Sequence, residues 1–255
     1  MNRKPFASFD LEIATDLTSD DKSIDKWQEY APLGISCAAL KLEDVDNVIF
    51  WEGKPRMSKA DCVGMMKSLR LIMDNYDIIT WNGTSFDFRV LAIETGFVPE
   101  CGYIALKSID MMLEVVFRKG HYLGLDTALS GMNIGSKLHE VRLNSGRLLN
   151  DMSGDMAPLL WAAGEYGAVL EYLKYDVIRP LELAKKIADC YFLAWQSKRG
   201  FPSCVDIDRL VPAYQLFSLP PPDTSWMSYP PKRKQFFDWI PNYTSFLPSD
   251  QQPIF

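Results

Sequence analysis

The first apolar pattern of this chain contains two acidic residues and predicts a buried β-strand. Residues 6–14 alternate apolar residues with acidic or small ones, which is the period of a strand with one buried face. Asp10 and Glu12 are two residues apart, so a strand places both carboxylates on the same face. Buried neighbouring carboxylates repel unless protons or cations neutralise them. The pattern therefore predicts either a metal-binding strand or an acidic edge that faces solvent.

The segments that follow predict an α/β fold. Residues 34–42 and 48–51 are apolar and flank a turn-like segment, so they should form a hairpin beside the first strand. Ser58 and Asp61 have the spacing of a helix capping box. The apolar residues 77–81 then predict a short parallel strand. We therefore expect three antiparallel strands and further parallel strands in one mixed sheet, flanked by helices.

Helical patterns dominate the second half of the chain. Residues 85–95 predict a helix, and residues 105–109 predict a short strand. A long helical run covers residues 166–195. Pro180 should kink or divide this run, because proline has no N–H group for the helical hydrogen bond.

The composition changes in the last part of the chain. Residues 201–255 include the proline runs 220–222 and 230–231 and many aromatic side chains, so they cannot form one regular helix. We expect one domain over residues 1–200, with residues 201–255 as a Pro/aromatic-rich C-terminal tail packed on it. The basic residues 232–234 beside aromatic ones could instead contact nucleic acid or a partner protein.

Composition limits the class of protein. Hydrophobic residues make up 47% and charged residues 24%, which is typical of a soluble globular protein, and no apolar stretch is long enough for a membrane span or signal peptide. We therefore expect a cytoplasmic protein with no membrane partner. The five cysteines are widely spaced, and His121 and His139 lack partners at metal-ligand spacing, so neither a disulfide framework nor a zinc site is indicated. The net charge of −6 argues against a broad basic nucleic-acid surface, although an acidic metal site would account for much of it.

Two further acidic motifs follow the first one. Asp87 ends the sequence N-G-T-S-F-D, which begins at Asn82, follows an apolar strand and opens a helix. Tyr172 and Asp176 are four residues apart, which places them on one face of a helix. Each motif has an ordinary alternative, because a first-turn Asp suits the helix dipole and Tyr–Asp neighbours are common on helix surfaces. The prediction of a site depends on their combination.

The chain carries three short motifs in a fixed order: D-x-E on the first strand, N-x-x-x-F-D after the fourth, and Y-x-x-x-D on a late helix. This order resembles that of the DEDD superfamily of 3′-to-5′ exonucleases. Residues 77–87 are similar to the second exonuclease motif of the proofreading domains of family-B DNA polymerases. The tripeptides 108–110, 124–126 and 135–137 match more loosely. Glu171 stands where the histidine subclass carries its His, so the tyrosine subclass (DEDDy) is the better match. The resemblance implies a ribonuclease-H-like fold for residues 1–200.

The resemblance also implies a catalytic centre. Its metal ligands, which are also catalytic, would be Asp10, Glu12, Asp87 and Asp176. They would hold two divalent cations, Mg²⁺ or Mn²⁺, about 4 Å apart. Asp10 and Asp176 would contact the water-activating ion directly, and Tyr172 would orient the attacking water.

The implied substrate is the 3′ end of a nucleic acid strand. Its binding residues would be Leu11, Ile13, Asn82 and Phe86. Ile13 is a departure from the pattern, since relatives often carry Thr at this position. Single-stranded DNA is favoured, because an unpaired end requires no unpairing energy and its bases can stack on aromatic side chains. The alternatives are a 3′-to-5′ exoribonuclease and a catalytically silent nucleic-acid-binding module of the same fold.

Overall fold

A five-stranded mixed sheet forms the centre of the computed structural model, which describes residues 3–18 and 24–246. The strand order is β3-β2-β1-β4-β5. The strands are β1 (Phe6–Ile13), β2 (Ile35–Leu42), β3 (Val48–Glu52), β4 (Asp77–Thr80) and β5 (Ile109–Asp110). The first three pair antiparallel, while β4 and β5 run parallel to β1. The predicted α/β class and the mixed sheet are therefore confirmed.

Seven α-helices cover the two faces of this sheet in the described chain. They are α1 (Lys59–Ile72), α2 (Asp87–Thr95), α3 (Val98–Lys107), α4 (Met111–Lys119), α5 (Leu125–Gly131), α6 (Ala157–Ala162) and α7 (Tyr166–Cys190). Two small hairpins lie outside this sheet: β6 (Val141–Arg142) with β7 (Leu148–Leu149), and β8 (Phe192–Gln196) with β9 (Pro202–Asp206). Among the described residues, none of the helices is both long and apolar enough to cross a lipid bilayer.

The side chains of β1 alternate between the hydrophobic core on one face of the sheet and an acidic cluster on the other. Phe9 and Leu11 lie in the larger core cluster, with residues from α1 to α4. On the opposite face, β1 turns Asp10 and Glu12 toward α7, which packs across β1 and β2. The strand period of two therefore separates the apolar core from the acidic side chains, as the sequence predicted.

The capping box at the start of α1 is confirmed. The Ser58 hydroxyl accepts a hydrogen bond from the Asp61 N–H at 3.2 Å, and the Asp61 carboxylate accepts one from the Ser58 N–H at 3.1 Å. The prediction of a helix after the fourth strand is also confirmed, because α2 runs from Asp87 to Thr95. It ends at Gly96, whose φ of 75° is a left-handed conformation that glycine adopts without strain.

Two predicted elements are wrong at their boundaries. The strand expected over residues 105–109 is reduced to β5, because α3 continues through Lys107 and buries these apolar residues in a helix. The helix expected to continue to residue 195 ends at Cys190, and the next residues form β8. Tyr191 has a left-handed φ of 65°, which ends the helix, and pairing with β9 stabilises the strand.

Pro180 does not divide the long helix. α7 runs through it without interruption, although Pro180 cannot donate a hydrogen bond to the carbonyl of Asp176, four residues earlier. An interior proline costs about 3 kcal/mol in an exposed helix. Here Pro180 is buried among other core residues of α7, and packing of the helix against the sheet offsets that cost.

Residue 200, where the tail was predicted to begin, lies inside the β8–β9 hairpin. Several aromatic residues of the segment after it are part of the larger core cluster. Phe237 is fully buried, with its ring centroid 4.6 Å from that of Phe217 and 6.1 Å from that of Phe117 in α4. Tyr229, in contrast, is 93% exposed. The described part of residues 201–246 therefore contributes to the core at some positions and to the surface at others.

We expect Phe237→Ala to lower the free energy of unfolding by about 3–5 kcal/mol, because it leaves a cavity among packed aromatic rings. Tyr229→Ala is the matched control in the same segment and should change this free energy by no more than about 0.5 kcal/mol. Urea unfolding followed by circular dichroism measures both. Similar values for the two variants would show that the core does not depend on this segment.

Candidate metal centre and active site

Three carboxylates from distant parts of the chain meet above β1. Oxygens of Asp10, Glu12 and Asp176 all lie within 4.8 Å of one another. β1 presents the first two on one face, and α7 brings the third across the sheet. On β2, the small residues Ala39 and Cys37 lie opposite Asp10 and Glu12, which leaves room for α7 to approach. The sequence prediction that these acids converge is borne out for these three residues.

Asp87 adjoins this cluster at the first residue of α2. Its Oδ1 accepts a hydrogen bond from the Leu11 N–H at 3.1 Å, between the two acidic residues of β1. Its carboxyl group also interacts with that of Asp10, and the pKa values of both groups are raised. Asp87 therefore lies next to the three acids. Its oxygens do not belong to the group that lies within 4.8 Å of one another.

A buried aspartate shapes the turn that leads to Asp87. The carboxylate of Asp110, at the end of β5, accepts hydrogen bonds from the N–H groups of Asn82 at 3.0 Å, Thr84 at 3.0 Å and Leu113 at 3.4 Å. Asn82 has a left-handed φ of 70°, a conformation that asparagine tolerates better than most residues. Asp110 thus fixes the backbone that positions Asn82 and the start of α2.

Lys137 contributes a cation to the acidic cluster. Its Nζ donates to Tyr172 Oη at 2.7 Å and to Asp176 Oδ2 at 2.9 Å. Its backbone N–H donates to Asp126 Oδ1 at 2.6 Å, and Asp126 Oδ2 lies 3.1 Å from His139 Nε2. The loop that carries Lys137 is therefore held at its backbone while its side chain reaches α7.

Burial raises the pKa of each of the four acids, Asp10, Glu12, Asp87 and Asp176. The charges of its neighbours, led by Asp87 and Asp176, raise the pKa of Asp10 further. The pKa of Asp87 rises to about 7, although its hydrogen bonds to Asp10 and Leu11 oppose the increase. Ionising all of these groups together is therefore unfavourable without added positive charge.

Lys137 and Tyr172 keep their protons in this environment. Burial alone would lower the pKa of Lys137, but the carboxylates of Asp176 and Asp10 outweigh it, and the pKa is raised. Burial and the charge of Asp176 raise the pKa of Tyr172 as well. The pair therefore consists of an ammonium group and a neutral phenol, so Lys137 offsets one carboxylate charge and leaves the others uncompensated.

The acidic cluster fits a divalent cation. Asp176 Oδ1 is buried and has no hydrogen-bond partner among the described residues, while Oδ2 is bound by Lys137. A buried carboxylate oxygen without a partner is costly unless a cation binds it. Carboxylate oxygens are also the ligands that Mg²⁺ and Mn²⁺ prefer. Asp10, Glu12 and Asp176 could therefore hold a metal ion.

A cavity of about 250 Å³ opens beside these carboxylates. Of the predicted substrate-binding residues, Ile13, Asn82 and Phe86 line it together with Glu12. The side chain of Leu11 lies in the core instead, and its backbone N–H is the group that faces the site. The remaining lining residues are Thr15, Leu17, Thr18, Gly154, Asp155 and Pro158.

Sequence motifs identified the acids but gave no role to Lys137. The three loosely matching tripeptides end in Asp110, Asp126 and Lys137, and all three side chains support the site. That loose match was the one signal for them in the sequence. Gly154 and Asp155 had no such signal, and they line the cavity because a 3-10 turn over Gly154–Met156 lies beside Tyr172 and Glu12.

We expect Asp87→Asn to stabilise the metal-free protein relative to wild type, and the difference to grow between about pH 4 and pH 7. The pKa of Asp87 is raised from 3.8 to about 7, so the folded state retains a proton over this range that the unfolded state has lost. The protonated Asp87 therefore adds to the free energy of unfolding of the wild-type protein at low pH, and this contribution is lost as the pH rises through about 7.

The measurement is the Tm of both proteins with a chelator across this pH range. Asn keeps an oxygen for the Leu11 N–H but does not titrate, so it isolates the charge. A Tm difference that stays constant with pH, or that shrinks as the pH rises, contradicts a raised pKa for Asp87.

Comparison of the chain with protein-family models and with curated proteins gave no match.

Proposed function

We propose that this protein is a metal-dependent 3′-to-5′ exonuclease that hydrolyses phosphodiester bonds of single-stranded DNA. The observation that carries the proposal is the meeting of Asp10, Glu12 and Asp176 in one cluster, with Asp87 beside it. These are the four acids that the DEDD resemblance requires. The central sheet, with three antiparallel strands followed by parallel ones, is compatible with the ribonuclease-H-like fold that the resemblance implies.

Two divalent cations would bind at these carboxylates. Asp10, Glu12 and Asp176 offer oxygens close together, and Asp87 would complete the set from its position next to Asp10. Bound Mg²⁺ or Mn²⁺ would supply an acidified water and stabilise negative charge on the phosphate and the leaving oxygen. The unpaired Oδ1 of Asp176 supports a ligand at this point.

Lys137 and Tyr172 would orient the attacking water beside Asp176. The phenol is protonated and accepts a hydrogen bond from the ammonium group, and both lie at the same carboxylate. A fixed ammonium charge there would stabilise the negative charge that develops as the water loses its proton. Because Tyr172 is buried and Lys137 is held by its contacts with Tyr172 and Asp176, little reorganisation is needed during the reaction.

The adjoining cavity suits one unpaired terminal nucleotide. Ile13, Leu17 and Phe86 provide apolar walls for a base and a sugar, and Asn82 provides a polar group at the same wall. The end of a single strand, or a frayed 3′ end, suits such a site because its terminal nucleotide needs no unpairing energy to enter. DNA and RNA strands differ only by a hydroxyl group here, so parallel digestion must distinguish them.

We expect wild-type protein to shorten a 5′-labelled single-stranded DNA one nucleotide at a time in Mg²⁺ or Mn²⁺, and to stop when a chelator is added. Asp10→Asn and Asp176→Asn should each slow the reaction about 1,000-fold, because each removes a charged metal ligand worth several kcal/mol. Asp74→Asn is the matched control, since Asp74 is an exposed aspartate paired with Arg70. A gel time course with matched DNA and RNA strands measures these rates.

The outcomes of this time course separate the alternatives. Faster shortening of RNA would assign the site to an exoribonuclease. If the wild-type protein binds the strand but leaves it intact in both metals, the nuclease proposal is wrong and a silent binding module is the better interpretation.

Lys137→Met should lower kcat about 100-fold, which is the usual loss when one donor to a developing charge is removed. Lys174→Met is the control, because Lys174 is exposed on α7, two residues from Asp176. The same assay at saturating strand measures kcat. An unchanged kcat for Lys137→Met would limit Lys137 to a structural role.

A further inference from the structure

A second, larger cavity adjoins the first one. It measures about 700 Å³ and shares Asn82 and Phe86 with the cavity beside the carboxylates. Its volume is within the range of small-molecule binding sites, which is about 300–1,000 Å³. The shared residues form a divide, with the acidic cluster on one side and the larger space on the other. Apart from Asn82 and Phe86, the residues that line this space had no role in the predicted site.

We infer that the second cavity binds the nucleotide that precedes the 3′-terminal one, with Arg89 on its phosphate and Tyr122 against its base. The inference rests on the proposed function and extends it, because it assigns a path to the strand. The terminal nucleotide would occupy the first cavity, and the strand would pass over Phe86 into the second.

Aromatic side chains form two walls of this cavity. Trp27 contacts Phe86 edge to face, with ring centroids 5.3 Å apart, and Tyr122 packs against Phe236 at 5.9 Å. Tyr122 is 53% exposed, and its hydroxyl accepts a hydrogen bond from Gln235 Nε2 at 2.6 Å. The ring of Tyr122 is therefore held in place while much of its surface stays accessible. Such a ring can stack on any base, which suits an enzyme that removes nucleotides without regard to sequence.

Arg89 is the one basic side chain among the described residues that line the cavity. Its guanidinium lies 5.5 Å from the ring centroid of Trp27 and 3.6 Å from Asp238 Oδ1. The separation from Asp238 is longer than that of a hydrogen bond, and the side chain of Asp238 is 48% exposed. A phosphate could bind the guanidinium in a bidentate manner, which is a stronger contact. Asp238 would then compete with the phosphate for Arg89.

The C-terminal segment supplies the far wall of the cavity. Gln235, Phe236 and Asp238 all line it, and the neighbouring Trp239 donates its Nε1–H to the carbonyl of Thr84 at 3.0 Å. Thr84 lies in the turn that leads to Asp87. The segment is therefore attached to the same turn that positions the catalytic side, and it would form part of the strand-binding surface.

The test compares Arg89→Ala and Asp238→Asn with wild type. Equilibrium binding of 5′-fluorescein hexathymidylate is measured by fluorescence anisotropy with Ca²⁺ in place of Mg²⁺. We expect Arg89→Ala to raise the Kd about tenfold, which corresponds to losing one good phosphate contact. Asp238→Asn should lower the Kd, because it removes the competing carboxylate. Arg70→Ala is the matched control, since Arg70 is also paired with an aspartate but lines a different cavity.

A misfolded variant cannot produce the two opposite shifts. Equal Kd values for Arg89→Ala and wild type, equal losses in Arg89→Ala and Arg70→Ala, or a Kd for Asp238→Asn that is no lower than wild type would overturn the inference. Tm values of all variants verify that they are folded.

Hydrolysis of the p-nitrophenyl ester of thymidine 5′-monophosphate in Mn²⁺ separates this inference from the proposed function. The ester carries one nucleoside and would occupy the first cavity alone. Arg89→Ala should lower kcat/KM about tenfold more on the oligonucleotide than on the ester. Equal losses on both substrates would overturn the inference. Wild type that hydrolyses neither substrate would overturn the nuclease proposal, while the binding measurements would still decide whether the second cavity holds a strand.

Discussion

The cost of burying like charges governs the centre of this structure. Asp10, Glu12 and Asp176 are brought together in a poorly solvated space, and their pKa values rise as a result. Lys137 compensates one charge, but a single ammonium group cannot neutralise the set. The protein must therefore keep protons on these groups or bind cations there. The packing of α7 against small residues of β2 brings Asp176 to this point, and a cavity lined by Glu12 adjoins it.

The sequence predicted those features that depend on short-range geometry. A period of two placed Asp10 and Glu12 on one face, and a spacing of four placed Tyr172 and Asp176 together. The position of Lys137 depends instead on how a loop folds across α7, 35 residues away from Tyr172 in sequence. No periodicity encodes such a contact. The same reason explains the errors at β5 and β8, where apolar residues fit either a helix or a strand and tertiary pairing decided between them.

The last part of the chain shows a second limit of sequence interpretation. A change in composition indicated a boundary near residue 200, but the strands on either side of it pair with each other. Phe237 occupies the main core, and Trp239 binds the turn before α2. Composition shows which residues are abundant. Whether a segment packs on the domain depends instead on which of its side chains are buried there. The proline runs of this segment exclude one long regular helix, but they do not exclude a structural role for it.

Buried acids in this protein fall into two kinds, and the difference between them indicates where a metal ion could bind better than their number does. Asp110 is completely buried, but three N–H groups satisfy its carboxylate. Glu114 is also buried and binds Arg118 at 2.9 Å. Asp176 keeps one buried oxygen without any partner among the described residues, although a cation already binds the other. An unpaired buried oxygen of this kind is costly, and a cation bound there would remove the cost.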